Sequence, residues 1–594
     1  MHRHLSFNLA TGFLSSQRAF TLCKHIRKTI LTVKVIRKGS IFERISEYDS
    51  CRFLGLPVTT CCTTTHSLSD HSKETDSKKA NGQSSSSTQK VPIRRGEELE
   101  LRIQGLVSGG DGISRIGRYV VMIPHAVPGQ LVKVVIGRVR SSYANAKVIQ
   151  VVEQSPYETE PVCEHFGPFG CGGCKFQHIS YNKQLEEKYQ QVLRHYEGLF
   201  TRSNYIVENV MKPIVGSPVI FGYRNKMEFT FSNRRWIPGD HLGESKRISS
   251  AVVEENLRNE VSFKTNEEDF VLGLKPAGHF DKVLPIEYCH IQETVANEIL
   301  NWIQKRTSEM HTTAYDVYSH QGFLRNLVIR TARNERNELE VMVNFVTSFG
   351  EDSSLLRPLA LELGKQFSSI RSIVQNFTTS KGGASKGEEE QVLFGCNYIQ
   401  HYVLGRTLRF TANCFFQTNP LQTEKLYQIV REAANLKVED VVLDLFCGIG
   451  SIGLCLASDC KYVYGIDVVE EAIQMAKLNA KINGVRNAEF ILANLEKSSL
   501  QDPEIQRLFH RNGILPPNVV IVDPPRGGLH STLIKWLRWM KPSRIVYVSC
   551  NPATQVRDLE SLCLMQRYRL VSIQPVDMFP HTPHIECIAI LERI

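Results

Sequence analysis

Three short segments in the last third of the sequence carry side chains suited to group transfer. The first, Asp444-Leu445-Phe446-Cys447-Gly448-Ile449-Gly450-Ser451-Ile452-Gly453, closes an apolar run and opens a helix-like one. Glycines there let the backbone pass close to a ligand. Asp467, about 20 residues on, ends the next apolar run, where an acid can accept both ribose hydroxyls. Gly448, Gly450 and Gly453 also fit the dinucleotide fingerprint, so this segment alone leaves NAD and S-adenosylmethionine both open. The second segment is Val522-Asp523-Pro524-Pro525-Arg526-Gly527-Gly528. In an open α/β sheet, ligands bind beyond the carboxyl ends of the strands. An Asp followed by two prolines at that place makes a rigid polar edge beside the reacting group of a cofactor. A dehydrogenase has no use for such an edge, whereas methyltransferases of planar nitrogen heterocycles commonly carry one. The third segment, Tyr547-Val548-Ser549-Cys550-Asn551-Pro552, brings a thiol to the same edge.

A buried strand cysteine is usually only a small hydrophobe. At this place a nucleophile has a specific use. Uracil C5 is a poor nucleophile, but thiolate attack at C6 converts the ring into an enolate whose C5 can accept a methyl group. A base must then remove the C5 proton so that the thiolate can leave. Pro580-His581-Thr582-Pro583-His584-Ile585-Glu586-Cys587 leads into the final apolar run. That strand is expected to run antiparallel to the others, so its start lies at the rim where its parallel neighbours end, and Glu586 can face Cys550. A carboxylate enclosed by an aromatic base has a raised pKa suited to this proton transfer. His581 and His584 are the competing bases, or contacts to RNA; Glu586 is favoured.

The elements that must position these residues follow from periodicity. VVLDLF, YVYGID, AEFIL, VVIVD, RIVYVS, RLVSIQPV and ECIAIL alternate with helix-like segments such as EEAIQMAKLNAKI. This alternation predicts a doubly wound, Rossmann-like α/β sheet over 411–594. Between Gly96 and Val152, short alternating runs separated by Gly-rich turns predict a small OB-like β-barrel, bounded at 93–155. A Cys-rich segment occupies 156–180, and a central α+β domain spans 181–410 with a polar insertion near 239–268. Residues 43–92 are polar and predict a disordered linker. From Met1 to Phe42 there is no acidic residue, while Arg and Lys interleave with Leu, Phe, Ile and Ser; this predicts a transit peptide for the mitochondrial matrix.

With these residues in hand, the chain resembles the RNA 5-methyluridine methyltransferases, from Gly96 to the C-terminus. The matching segments are Asp444 to Gly453, Val522 to Gly527, Val548 to Pro552, His584 to Glu586, and Phe415-Phe416-Gln417-Thr418-Asn419. The resemblance implies Cys550 as nucleophile and Glu586 as proton acceptor. It implies that Gln417, Phe446, Ser451, Asp467 and Asp523 line the site for S-adenosyl-L-methionine and the target base. The barrel resembles a TRAM module, whose Arg94, Arg95, Arg102, Lys133, Arg138, Arg140 and Lys147 suit phosphate contacts. Gly222-Tyr223-Arg224-Asn225-Lys226 and Arg325-Asn326-Leu327 resemble family segments near the RNA and catalytic faces. Joined to the basic N-terminus, the resemblance points to a mitochondrial branch of the family, with the T-loop uridine of tRNA and a small-subunit rRNA uridine as expected substrates. Cys163, Cys171, Cys174 and Cys289 resemble the four-thiolate [4Fe-4S] site of some bacterial members, with two extra residues between the first and second cysteine. Zinc would accept the same ligands, and reduced structural thiols are the third reading.

At 594 residues the chain requires several domains. Its net charge of +10 favours a polyanionic partner. The 16 scattered cysteines fit a reducing compartment, and no apolar run reaches membrane-span length. No obligate protein partner is evident. Two other classes compete: a non-catalytic RNA-binding module, disfavoured by the retained Cys550 and Glu586, and an NAD-dependent oxidoreductase, which rests on the glycine pattern alone.

Overall fold

Runs of Val, Ile and Leu that are apolar at every position can be buried on both faces only in a sheet covered on both sides. The C-terminal part of the computed structural model is built on that rule. The structure describes residues 93–203, 205–237, 270–349, 353–383, 386–494, 496, 517–563 and 567–594, with two strands near the N-terminus. Those two, β1 (Val33–Arg37) and β2 (Ser40–Arg44), pair antiparallel in a unit of their own, Met1–Ser87. The expected transit peptide and linker otherwise fall outside the described residues, and so does the expected insertion at 239–268.

Everything from Thr88 to Ile594 forms one unit. It begins with a six-stranded sheet in the order β3-β7-β8-β6-β5-β4: β3 (Glu98–Arg102), β4 (Gly105–Leu106), β5 (Gly112–Ile116), β6 (Tyr119–Ile123), β7 (Leu131–Val139) and β8 (Tyr143–Glu153). The alternating burial of β6 and β7 places Val121, Ile123, Val132, Val134 and Ile136 in one small core. Two of the expected phosphate-binding cations are held by acids, Arg102 by Glu153 at 2.5 Å and Lys133 by Glu98 at 2.7 Å.

The central sheet has the order β11-β10-β9-β12-β13-β14-β15: β9 (Lys226–Ser232), β10 (Val271–Leu274), β11 (Leu284–Pro285), β12 (Leu324–Arg333), β13 (Leu339–Thr347), β14 (Ile370–Phe377) and β15 (Glu389–Gly395). Helices Thr294–Glu309 and Leu356–Gln366 cover it with Ile299, Leu300, Ile303, Leu359 and Leu363. A hairpin, β16 (Ile399–Val403) and β17 (Arg406–Phe410), leads onward.

The catalytic sheet runs β20-β19-β18-β21-β22-β24-β23: β18 (Val441–Leu445), β19 (Tyr462–Asp467), β20 (Ala488–Leu492), β21 (Val519–Val522), β22 (Arg544–Ser549), β23 (Tyr568–Val576) and β24 (Glu586–Arg593). The first five are parallel, and β24 is antiparallel to both β22 and β23. All seven expected strands are present, and Glu470–Ile482 is a helix. Two apolar layers sandwich the sheet.

The sequence order misplaces three segments. The long helix Tyr181–Ser203 falls within the expected central domain, yet its Val192, Tyr196, Leu199 and Phe200 pack into a layer of the catalytic sheet. The chain that follows extends that sheet's edge, with Met211 bridging Ile573 and Val215 bridging Val576. The hairpin β16–β17 likewise buries Ile399, Leu408 and Phe410 against the catalytic layer. No helix among the described residues is long and apolar enough to cross a membrane.

Candidate active site

Strand direction decides whether the expected residues meet. β18, β19, β21 and β22 are parallel, so Leu445, Asp467, Val522 and Ser549 end at one rim of the sheet. β24 starts at that rim, where Ser549 pairs with Cys587. Cys550, one residue beyond Ser549, therefore stands beside Glu586, one residue before Cys587.

The turn after β22 is fixed locally. Ser549 Oγ donates to Asn551 O and accepts the Asn551 N–H, both at 3.1 Å, and Asn551 Oδ1 accepts the Ala553 N–H as the next helix begins. The loop after β21 is tied to the same helix. Asp558 accepts the Leu529 N–H at 2.7 Å and the Tyr547 hydroxyl at 2.8 Å, and Asn551 and Thr554 donate to Arg526 O. Gly528 is needed there: its φ is +75°, and a Cβ would lie 2.5 Å from Asp558 Oδ2.

The glycine loop after β18 is held by carboxylates from inside. Asp444 accepts the Gly453 N–H at 2.9 Å, and Asp467 accepts those of Gly448 and Val469, each at 2.9 Å. Phe446 (φ 63°), Gly448 and Gly450 take left-handed conformations. A Cβ on Gly450 would meet Phe490 at 2.7 Å. Ser451 Oγ accepts the Tyr427 hydroxyl at 2.8 Å.

Gln417 comes from another direction. It is buried in the loop after β17, and three elements pin that loop. Asn225 donates to Gln417 O at 3.2 Å, and its own N–H reaches Thr418 O. Arg330, buried in β12, donates to Thr411 O, Ala412 O and Cys414 O. Asn419 caps the helix Pro420–Ala434 and reaches Met578 O at 3.1 Å. Phe415 projects from this loop, 68% exposed. Arg330 carries no signal in its own neighbourhood of the sequence, because its three partners lie some 80 residues away.

Burial governs the electrostatics of the rim. It lifts the Glu586 carboxyl well above the ordinary carboxylate range, with Asp523 adding to the effect and Arg526 opposing it. Burial likewise lifts Asp523 to about 7 and Asp444 to about 7. The Cys550 thiol is pushed up to about 11 by burial, then by Glu586 and Asp523, against Arg526. Cys550, Glu586 and Asp523 therefore sense one another. Of the competing bases, His581 is buried, stacks on Phe221 at 4.4 Å, and its Nδ1 is 3.2 Å from Gln184 Nε2. His584 is exposed, 3.2 Å from Arg526. Burial lowers the His581 imidazole to about 4, and partial desolvation together with the Arg526 charge beside its ring lowers that of His584 to about 4.

With this arrangement in view, the comparisons decide. The sequence profile described as tRNA (Uracil-5-)-methyltransferase matches residues 371–594, and that of the TRAM domain matches 92–149. A protein of Chlorobaculum tepidum described as an uncharacterized RNA methyltransferase is 35% identical over 511 residues, 85% of this chain and 98% of its own length. The chain belongs to the tRNA (uracil-5-)-methyltransferase family. A family relative of Porphyromonas gingivalis, also described as an uncharacterized RNA methyltransferase, is 36% identical over 83% of this chain and 99% of its own. Among solved structures, the Pyrococcus abyssi tRNA (uracil-54, C5)-methyltransferase in complex with S-adenosyl-L-homocysteine superposes with a TM-score of 0.59 at 28% identity. It covers 83% of this chain and 99% of that one. The protein is an RNA methyltransferase dependent on S-adenosylmethionine, with the multidomain architecture of its family: a TRAM module at one end and the methyltransferase sheet at the other. The oxidoreductase reading, which rested on the glycine pattern alone, falls away.

The four expected metal-ligating cysteines, Cys163, Cys171, Cys174 and Cys289, all line one cavity with Phe166, Met227 and Ile286. Among the described residues, no group of three or more His, Cys, Asp or Glu is drawn together closely enough to hold a single metal ion.

Proposed function

We propose that this protein methylates C5 of a uridine in RNA through a covalent adduct between Cys550 and C6 of the base. The observation that carries the reading is the antiparallel register of β22 and β24, which sets the thiol beside Glu586 at the rim. Bound S-adenosylmethionine supplies an electrophilic methyl group at this rim, with Gln417, Phe446, Ser451, Asp467 and Asp523 lining its site and that of the base. Cys550 Sγ adds to C6, and C5 becomes nucleophilic and takes the methyl group. Glu586 then accepts the C5 proton, and the thiolate leaves by elimination. The raised affinity of Glu586 for a proton suits that transfer. The low basicity of His581 and His584 does not. RNA substituted with 5-fluorouridine, which has no C5 proton to lose, should form a stable adduct with the native enzyme and none with Cys550→Ala. Glu586→Gln should accumulate a methylated adduct on ordinary RNA; normal turnover by that variant would transfer the base role to a histidine.

The T-loop uridine of tRNA is the proposed target, supported by the tRNA family profile and by the tRNA activity in the Pyrococcus protein's description. A small-subunit rRNA uridine is the second. The acid-free stretch from Met1 to Phe42 supports a mitochondrial matrix location; a reporter carrying residues 1–42 that stays in the cytosol would exclude it. For the cysteine cavity we propose a [4Fe-4S] cluster. Its support is that all four thiols line one cavity, four thiolates being the usual ligand set for such a cluster. Cys163, Cys171, Cys174 and Cys289 would hold it, and it would cross-link the Cys-rich loop to the central domain. An anaerobic absorption spectrum without a sulfide-to-iron band would remove it.

A further inference from the structure

Far from the rim, the central domain carries a second cleft with the chemistry of a nucleotide site. It lies at the ends of β9 and β12, walled by Phe231, Arg234, Lys275, Phe280, Tyr315 and Arg325, with Lys381, Gly382 and Gly383 across its mouth. Phe280 is 65% exposed, and Tyr318 beside it is 57% exposed, their ring centroids 6.2 Å apart. Large aromatic rings left in water at a cleft mouth are poor use of apolar surface unless something stacks on them.

The cations around these rings are held in place. The Arg325 guanidinium sits 3.8 Å over the Tyr315 ring and donates to Ser380 O and Gly382 O. The Arg234 guanidinium sits 4.7 Å over the Tyr318 ring and pairs with Asp316 at 2.9 Å. Lys275 Nζ comes within 3.7 Å of the place a Cβ would take on Gly383, so the amine faces the two-glycine turn. The lining has two carboxylates, and both are engaged. Asp316 also accepts the Tyr318 and Ser319 N–H groups, and Asp281 accepts the Tyr318 hydroxyl at 3.1 Å. Four cations (Arg234, Lys275, Arg325, Lys381) against two carboxylates (Asp281, Asp316) leave the cleft with an excess of two positive charges.

Its position separates it from the reaction. Lys226, at the start of β9, follows Asn225, which touches the Gln417 loop; Ser232, at the far end, lines the cleft. Six residue steps of strand span on the order of 20 Å. That is too far for the reacting uridine, and about right for a nucleotide several positions along the same RNA.

We infer that this cleft binds an unpaired nucleotide of the substrate RNA, its base stacked on Phe280 at the Tyr318 rim and its phosphate between Lys275 and Lys381. The inference rests on the RNA methyltransferase reading and adds a second anchor to it. An aromatic platform with flanking cations is how proteins hold single-stranded nucleotides without reading their sequence.

The test uses the full-length protein and a fluorescently labelled, unmodified tRNA transcript in anisotropy titrations, so it does not depend on methyl transfer. Phe280→Ala should weaken binding about fivefold or more, the usual loss for one stacked base. Lys275→Gln and Lys381→Gln should each weaken it and flatten the salt dependence by about 0.7 in log–log slope per lost phosphate contact. Unchanged S-adenosylmethionine affinity in each variant shows that the fold survives. A photoreactive phenylalanine analogue at position 280 should cross-link to the transcript. Unchanged affinity and slope in all three variants would overturn the inference, as would cross-linking only to protein or no binding of tRNA by the parent. Absence of uridine methylation by a parent protein that still binds tRNA through Phe280 would instead overturn the methylation reading and leave the cleft standing.

Discussion

With its thiol at about 11, Cys550 is almost wholly protonated at neutral pH in the free enzyme. Its nucleophilicity therefore rises about tenfold per pH unit through the neutral range. Burial and Glu586 raise that value most, and two further neighbours act on it in opposite directions: Asp523 raises it and Arg526 lowers it. Removing the Asp523 carboxylate should thus lower the thiol pKa and move the alkylation profile of Cys550 to lower pH. Arg526→Gln should move it the other way. Site-resolved iodoacetamide labelling between pH 6 and 10, read by mass spectrometry, measures both, and profiles that superpose on the parent's would refute the coupling. At this scale the sequence was informative because the residues proposed to react sit in contiguous motifs at strand ends. The partners that fix those motifs were not legible. Asp558 lies some 30 residues from Leu529, and nothing near either residue announces the bond.

At the scale of elements, the catalytic sheet was readable because its central strands are apolar on both faces: every residue of β18 and β21 is buried. The final strand was expected to run antiparallel to its neighbours, which lets Glu586 face Cys550, and the register of β24 bears out that direction. The helix Tyr181–Ser203 was harder to place. Its buried face includes Gln184, Glu187, Lys188 and Gln191, so it offers no clean apolar stripe to match to a partner. The loop carrying Gln417 depends in the same way on a distant element. Arg330 satisfies three carbonyls from inside β12, and its guanidinium lies 4.6 Å over the Phe410 ring. Arg330→Met keeps much of the stem volume but leaves those carbonyls without donors. It should destabilise the loop by about 3 kcal/mol, at roughly 1 kcal/mol per lost bond. Hydrogen exchange should show the amides of 411–419 losing protection while those of β18 keep theirs. The KM for S-adenosylmethionine should rise severalfold as Gln417 loses its position, and an unchanged KM together with unchanged exchange would refute this role.

Across the whole molecule, that same polar helix is a hub. Glu187 accepts the Leu106 N–H of the TRAM module at 2.9 Å, and Arg194 donates to Leu106 O. Gln184 donates to Phe176 O and Ile179 O of the Cys-rich segment and accepts the His581 N–H. Lys188, fully buried, donates to Asp577 at 2.6 Å and to Phe579 O at 3.0 Å, on the turn that leads to Glu586. Tyr181 completes the group with a 2.9 Å bond to Asp577. A buried pair of this kind contributes little net stability against a well-packed apolar pair, but breaking it on one side strands a charge. Asp577→Asn should therefore cost on the order of 3–5 kcal/mol, seen as lost exchange protection along β23 and β24. The double variant Lys188→Met, Asp577→Leu should recover most of that protection, because no unpaired charge remains. It should not recover turnover: Phe579 O now lacks its lysine donor, and of these bonds only that from the His581 N–H to Gln184 still ties the turn before Glu586 to the helix that also carries the RNA-binding module. Full activity in the double variant would reduce the ion pair to ordinary packing. Recovered protection with kcat still depressed, and S-adenosylmethionine affinity intact, would make it the element that sets the proposed proton-accepting carboxyl relative to the thiol.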